Sequence, residues 1–173
     1  ALFSCPLCAY GFSRLRWRGR DFLFTLVLST MILPWPAVMI PSFLIFKSLG
    51  WINTILPLVV PYFLGGAFYI FLLRQFFLGI PEELSESARI DGCSEFGVYW
   101  RIILPLAKPA LSIVALFVFV GSWTDFLGPL IYLNDESKLT LSLGLQLFVS
   151  QYTQEWGPLM AASTLIMLPV IVI

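Results

Sequence analysis

Residues 110–133 read ALSIVALFVFVGSWTDFLGPLIYL, and this stretch decides the class of fold. It holds a single charged side chain, Asp125. It is long enough to cross a hydrocarbon core of about 30 Å at about 1.5 Å per helical residue. Working outward, residues 56–73 form a second such run and residues 22–40 a third. A fourth begins near Leu159 and continues to Ile173, and residues 1–12 read as the remnant of an earlier span. Of all residues 59% are hydrophobic and only 12% are charged, against about 25% charged in soluble domains. Charge this sparse, gathered into short stretches between apolar runs, predicts an all-α membrane protein, a polytopic helical bundle.

Ala1 falls inside an apolar stretch, and Ile173 ends one without the polar or basic anchors that close a span. The expectation is a single transmembrane domain over residues 1–173, truncated at both ends. Pro34, Pro36, Pro57, Pro61, Pro129 and Pro169 lie within the apolar runs. In a bundle, neighbouring helices satisfy the backbone groups that such prolines free. Residues 41–50 (PSFLIFKSLG) read as a short amphipathic helix at the interface. Cys5 and Cys8 have CxxC spacing but no second pair and no histidine anywhere in the chain, so they read as small apolar residues near a helix end. Gly65-Gly66 and Ala161-Ala162 read as close-packing sites between helices.

Loop charge orients the bundle. Arg14, Arg16, Arg18 and Arg20 precede the first full span, and Arg74, Arg89, Arg101 and Lys108 lie between the second and third. The other connections carry Lys47 and Lys138 alone. Alternate crossings put both basic segments on one side, which the positive-inside rule makes the cytoplasm.

The connection at residues 74–108 is too long for a turn between helices, where about 2–8 residues suffice. Pro81 suits a first helical position, and Glu82, Glu83 and Glu86 follow where they meet the helix dipole favourably. Leu84 and Ala88 recur at i and i+4 as an apolar stripe. Asp91-Gly92 stops this helix, and Ser94 caps a second whose apolar residues are Phe96, Tyr99, Trp100 and Ile103, ended by Pro105. Both helices need a surface to cover their apolar stripes. The residues alone leave their own bundle, the bilayer surface and a partner protein open. Five acids against four bases suit an anionic leaflet less well than a protein.

Glu86-Ser87-Ala88, Gly92 after three residues, Ile102 after nine more and then Leu104-Pro105 match EAA-x3-G-x9-I-x-LP. This is the "EAA" loop of ABC importer permeases, and Ser87 is its one departure. RLRWRGRD at 14–21, LRQFF at 73–77, GSWTDFLGP at 121–129 and WGPLMAA at 156–162 resemble the carbohydrate-importer branch, similar to the smaller permease subunit of maltose-type systems. Thr124 and Gly128 differ from that branch, where Asn and Trp are common.

The resemblance implies a fold of the methionine-importer-permease type in a bacterial cytoplasmic membrane. Its partners would be cytoplasmic ABC ATPase subunits, a second permease subunit of different sequence and an extracytoplasmic solute-binding protein. Glu86, Ser87, Ala88, Asp91, Gly92, Ile102, Leu104 and Pro105 would form the ATPase-coupling element. The chain shows no phosphate-binding loop, so it is expected to need no cofactor of its own and no metal; ATP and magnesium would sit on the partner ATPase. No catalytic residue and no nucleic-acid role is expected. Asp125 is costly within an apolar helix, by about 2.5–3.5 kcal/mol at its centre. It therefore lines a wet substrate path with Trp123, or braces the break at Gly128-Pro129. Two alternatives are a permease of the same class for peptides or amino acids, and a secondary transporter, which would need more intramembrane carboxylates than Asp125.

Overall fold

The computed structural model describes residues 1–148 and 156–173. The chain divides into two compact units, Ala1–Ala37 with Pro61–Ala115, and Val38–Val60 with Leu116–Ile173. Among the described residues every regular element is helical.

The first unit is built on α1 (Ser4–Ser13), which packs along α5 (Ala67–Leu78). Cys5 and Ala9, four apart on α1, are fully buried, as are Leu73 and Phe77, four apart on α5. Small residues on one helix admit large ones from the other. Polar contacts show the two helices to be parallel. The Gly66 N–H donates to Cys5 Sγ at one end. At the other end Arg74 Nε donates to the Phe12 carbonyl at 3.1 Å, and the Arg14 guanidinium donates to the carbonyls of Phe77 and Ile80. Each helix thus ends with its last carbonyls taken by an arginine of the other, which answers both their missing intrahelical donors and the negative end of the dipole. Arg74 also lies 4.2 Å over the Phe24 ring of α2 (Arg20–Ser29). Both basic segments leave from the same end of this pair, as the alternation of spans requires.

The apolar run at 22–40 is not one helix. After α2 and a 3-10 turn (Thr30–Ile32) the chain becomes extended at Leu33, ψ 117°, because Pro34 disfavours helical backbone in the residue before it. The next helix, α3 (Trp35–Ser48), starts ahead of the expected interfacial segment 41–50 and carries Pro41 inside it. Residues 56–73 are extended by the structure: α4 (Leu56–Phe63) and α5 together make the apolar stretch Leu56–Leu78 of 23 residues, long enough to cross a membrane.

Three further helices form the connection that follows: α6 (Glu82–Ile90), α7 (Glu95–Val98) and α8 (Leu104–Leu106), with a π-helical turn over Tyr99–Ile103. Pro81 stands at the N-cap with ψ 135°, one residue ahead of the helical position expected for it. Pro105 does not end the second helix. A proline there removes an N–H and crowds the carbonyl four residues back. The π turn opens the ladder just before it, the Leu104 N–H bonding to the Tyr99 carbonyl. The run Glu95–Leu106 ends instead at Ala107, and the chain turns by 76° into α9 (Lys108–Trp123).

In the second unit the expected span 110–133 breaks after Trp123 and resumes as α10 (Leu127–Tyr132). Pro129 falls in the first turn of α10, where its missing N–H has no partner to lose. The unit is completed by α11 (Leu141–Gly144) and α12 (Trp156–Val172), the latter with Pro169 inside. Asn53, with φ 62°, joins distant loops. Its N–H donates to the Tyr132 carbonyl at 2.8 Å, and its amide oxygen accepts from the N–H groups of Asn134 and Asp135. Lys138 donates to its carbonyl.

Candidate functional site: the helix–turn–helix at residues 82–106

Two caps fix the angle between α6 and α7. At the end of α6 the Gly92 N–H bonds to the Arg89 carbonyl at 3.0 Å, and the Cys93 N–H to the Ala88 carbonyl at 2.9 Å. This pair of bonds is a Schellman closure, with Gly92 as the left-handed residue at φ 82°. Two residues on, the Ser94 hydroxyl accepts the Gly97 N–H at 3.2 Å and caps α7. Glu82 and Glu83 occupy the first turn of α6 and Arg89 the last, as the helix dipole favours.

An ion pair then locks the turn. Arg89 Nε lies 2.6 Å from Glu95 Oε1, six positions on and across the turn that contains Gly92. The Arg89 guanidinium holds the Glu95 carboxyl below the usual carboxylate range. Glu95 Oε2 also accepts the Tyr10 hydroxyl of α1 at 2.8 Å.

The inward and outward faces differ from the sequence expectation. Tyr99 and Ile103 are buried as expected, but Val98 joins them, while Phe96 and Trp100 are 66% and 55% exposed. Val98 and Tyr99 set the inward direction, which leaves Phe96 and Trp100 on the far side, and the π turn over Tyr99–Ile103 keeps Ile103 on the inward face. On α6 it is Ser85 that is fully buried, whereas Leu84 of the expected stripe is exposed. Ile90 is 87% exposed at the end of α6. Phe96 and Trp100 stack with ring centroids 6.4 Å apart. They border a groove of about 420 Å³ that opens between Gly92 and Arg101.

Of the residues expected to form the coupling element, Glu86, Ser87, Asp91 and Gly92 are exposed and Ala88 is half-buried on α6 and its turn. Ile102 and Leu104 are half-buried and Pro105 is exposed on the second helix, beyond the π turn. Arg89, Glu95 and Ile90 were not singled out from the sequence. Opposite charges flanking a glycine turn were the available signal for the first two.

Trp123 and Asp125 do not share partners. The Trp123 indole N–H donates to the Ile166 carbonyl of α12 at 2.9 Å, one turn before Pro169, and the ring stacks on Phe119. Asp125 Oδ1 accepts the Gly128 N–H at 3.1 Å, closing the break before α10, and its carbonyl accepts the Ser142 hydroxyl. A Cβ at Gly128 would lie 2.5 Å from Asp125 Oδ2, so glycine permits this closure. Cys5 is buried and Cys8 exposed, both as free thiols. Among the described residues no group of three or more His, Cys, Asp or Glu is arranged to hold a metal.

These features define a class: a helical membrane protein whose basic side carries a doubly capped helix–turn–helix with bare apolar side chains. Residues 7–173 match the family described as the binding-protein-dependent transport system inner membrane component, and the chain belongs to that family. It is 37% identical over 172 residues to the arabinooligosaccharides transport system permease protein AraQ of Bacillus subtilis, covering 99% of this chain and 61% of that protein. With the lactose transport system permease protein LacG of Rhizobium radiobacter it is 31% identical over 172 residues, covering 99% and 63% respectively. Its fold is similar to a crystal structure of a bacterial ABC transporter involved in the import of the acidic polysaccharide alginate. There the TM-score is 0.84 at 28% identity, over 99% of this chain and 65% of that one. The chain thus spans about three fifths of the length of the arabinooligosaccharide permease. The family is a transport component, not an enzyme family.

Proposed function

We propose that this chain is the permease part of a binding-protein-dependent importer for sugars, crossing the bacterial inner membrane several times. The helix–turn–helix at 82–106 is its contact with a cytoplasmic ABC ATPase, which binds the ATP and magnesium that drive transport. A second, different permease subunit completes the pathway, and an extracytoplasmic binding protein delivers the solute. One observation carries this reading. The loop is held rigid by two caps and an ion pair, yet leaves Ile90, Phe96 and Trp100 uncovered. A rigid element with bare apolar side chains suits docking into a partner's cleft. The solute class is supported by relatives named for arabinooligosaccharide, lactose and starch-product transport.

In this mechanism ATP binding closes the two ATPase subunits, and the docked loops carry that motion into the permease, which alternates between inward- and outward-facing. The chain transmits force and hydrolyses nothing. The test is uptake in cells carrying the whole importer. Uptake should stop on ATP depletion and survive collapse of the proton gradient; the reverse pattern would refute the reading. Identifying the ligand that co-purifies with the binding protein tests the sugar assignment, and a bound peptide or amino acid would refute it.

A further inference from the structure

The helix–turn–helix is held to α1 at its entry and at its central turn. Tyr10 and Arg14 lie four apart, on one face of α1. Arg14 holds the Ile80 carbonyl, two residues ahead of α6, and the Phe77 carbonyl before it. The Tyr10 hydroxyl donates to Glu95 Oε2 at 2.8 Å and lies 3.3 Å from the Glu95 carbonyl, at the first residue of α7. Glu95 in turn holds Arg89 across the turn. The Tyr10 ring is 4% exposed and packs 5.1 Å from the Tyr99 ring, itself 5% exposed. Neither helix of the loop needs Tyr10 for its own integrity, since Ser94 already caps α7 and Gly92 already closes α6.

A contact that adds nothing to local capping has another use. The covalent route from the second loop helix into α9 passes through the 76° turn at Ala107. There the Ala107 N–H is shared between the carbonyls of Ile103 and Leu104. The Leu111 N–H also bonds to the Ala107 carbonyl at 2.9 Å, but a bend this sharp redirects a push instead of passing it straight on. α1, by contrast, is fastened to α5 at both ends.

We propose that Tyr10 and Glu95 are positioning residues of a clasp that makes the α1–α5 pair move with the loop, so that motion of the docked ATPase reaches the bundle through α1. This rests on the coupling role given to the loop above. Tyr10→Phe removes the donor of the clasp while keeping the ring packing, and Glu95→Leu removes its acceptor, together with the Arg89 pair, at similar shape.

The test uses the full-length importer with its ATPase, second permease subunit and binding protein, reconstituted in proteoliposomes. ATPase co-purification, ATP hydrolysis and solute transported per ATP are measured for each variant. A net hydrogen bond of about 1 kcal/mol corresponds to a change of about fivefold. Each single variant should therefore retain its ATPase but lower transport per ATP about fivefold, and the double variant should fall no further. Simple loss of folded protein lowers hydrolysis and transport together and leaves their ratio alone. Unchanged transport per ATP in both single variants overturns the clasp, as does loss of the ATPase from either complex. Ile90→Asp separates the two ideas. If it strips the ATPase while the clasp variants remain coupled, only the clasp fails. If it leaves the ATPase bound and Gly92→Pro leaves transport intact, the coupling role of the loop fails, and the clasp with it.

Discussion

Replacing Gly92 tests the geometry of the loop most directly. Its φ of 82° lies where an L-residue places Cβ against the following carbonyl, and no atom of the described residues lies within 4 Å of a Cβ built there. The cost of Gly92→Ala is therefore purely conformational, about 1–2 kcal/mol. That shifts the equilibrium between the closed and open turn by roughly 5- to 30-fold. Gly92→Pro is harsher, because proline holds φ near −65° and removes the N–H that bonds to the Arg89 carbonyl. Gly121→Ala is the control. It sits within α9, has no left-handed φ and faces open space. There alanine should be neutral or stabilise by roughly 0.5–1 kcal/mol. In proteoliposomes holding the assembled importer, transport per ATP should be lost with Gly92→Pro, reduced with Gly92→Ala and kept with Gly121→Ala. ATPase co-purification should stay detectable throughout. Full coupling in Gly92→Pro would refute the argument that the turn acts as a rigid lever.

Three other outcomes follow from single contacts. Asp125→Ala should lower thermal stability by about 0.5–2 kcal/mol through loss of the Gly128 N–H bond, and Asp125→Asn should restore most of it. Equal melting of both variants and the parent would exclude the bracing role. The Glu95 carboxyl is held below its usual range by Arg89, so the stability it adds to the loop is fully present above that range. It is lost as pH falls through the lowered value. Protease protection of the loop should therefore hold through mild acid and drop only below the usual carboxylate range in the parent, with no such step in Glu95→Gln; matching pH profiles would contradict this. The buried Ser85 hydroxyl has no hydrogen-bond partner among the described residues, so Ser85→Ala should leave the melting temperature unchanged or raise it. A clear drop in melting would show a contact that the structure does not contain.

The helical class and the two-helix form of the loop were legible because they depend on local chemistry. A long apolar run has few structures open to it in lipid, and an Asp-Gly followed by Ser is a stop and a cap wherever it occurs. The inward face of the second loop helix differs from the stripe expected because Val98 and Tyr99 pack inward, which puts Phe96 and Trp100 outside. The sequence shows Pro105 but not where the ladder opens to accommodate it, and the π turn there keeps Ile103 inward. The first apolar run was read as one span although Leu33-Pro34 breaks it, since proline within a bundle is tolerated or not according to its neighbours.

The loop on which this protein's reading turns thus has two origins. Its caps, its glycine hinge and its motif spacing follow from the order of residues between 81 and 105, since each cap spans only a few positions. The hold of α1 on it does not. Tyr10 reaches Glu95 across 85 residues of chain, and Arg14 reaches Phe77 across 63. Such partners are set by which helices pack side by side, and no local pattern carries that information. The sequence by itself determined a membrane bundle with an ordered loop, and only the tertiary structure decided which helix that loop is fastened to.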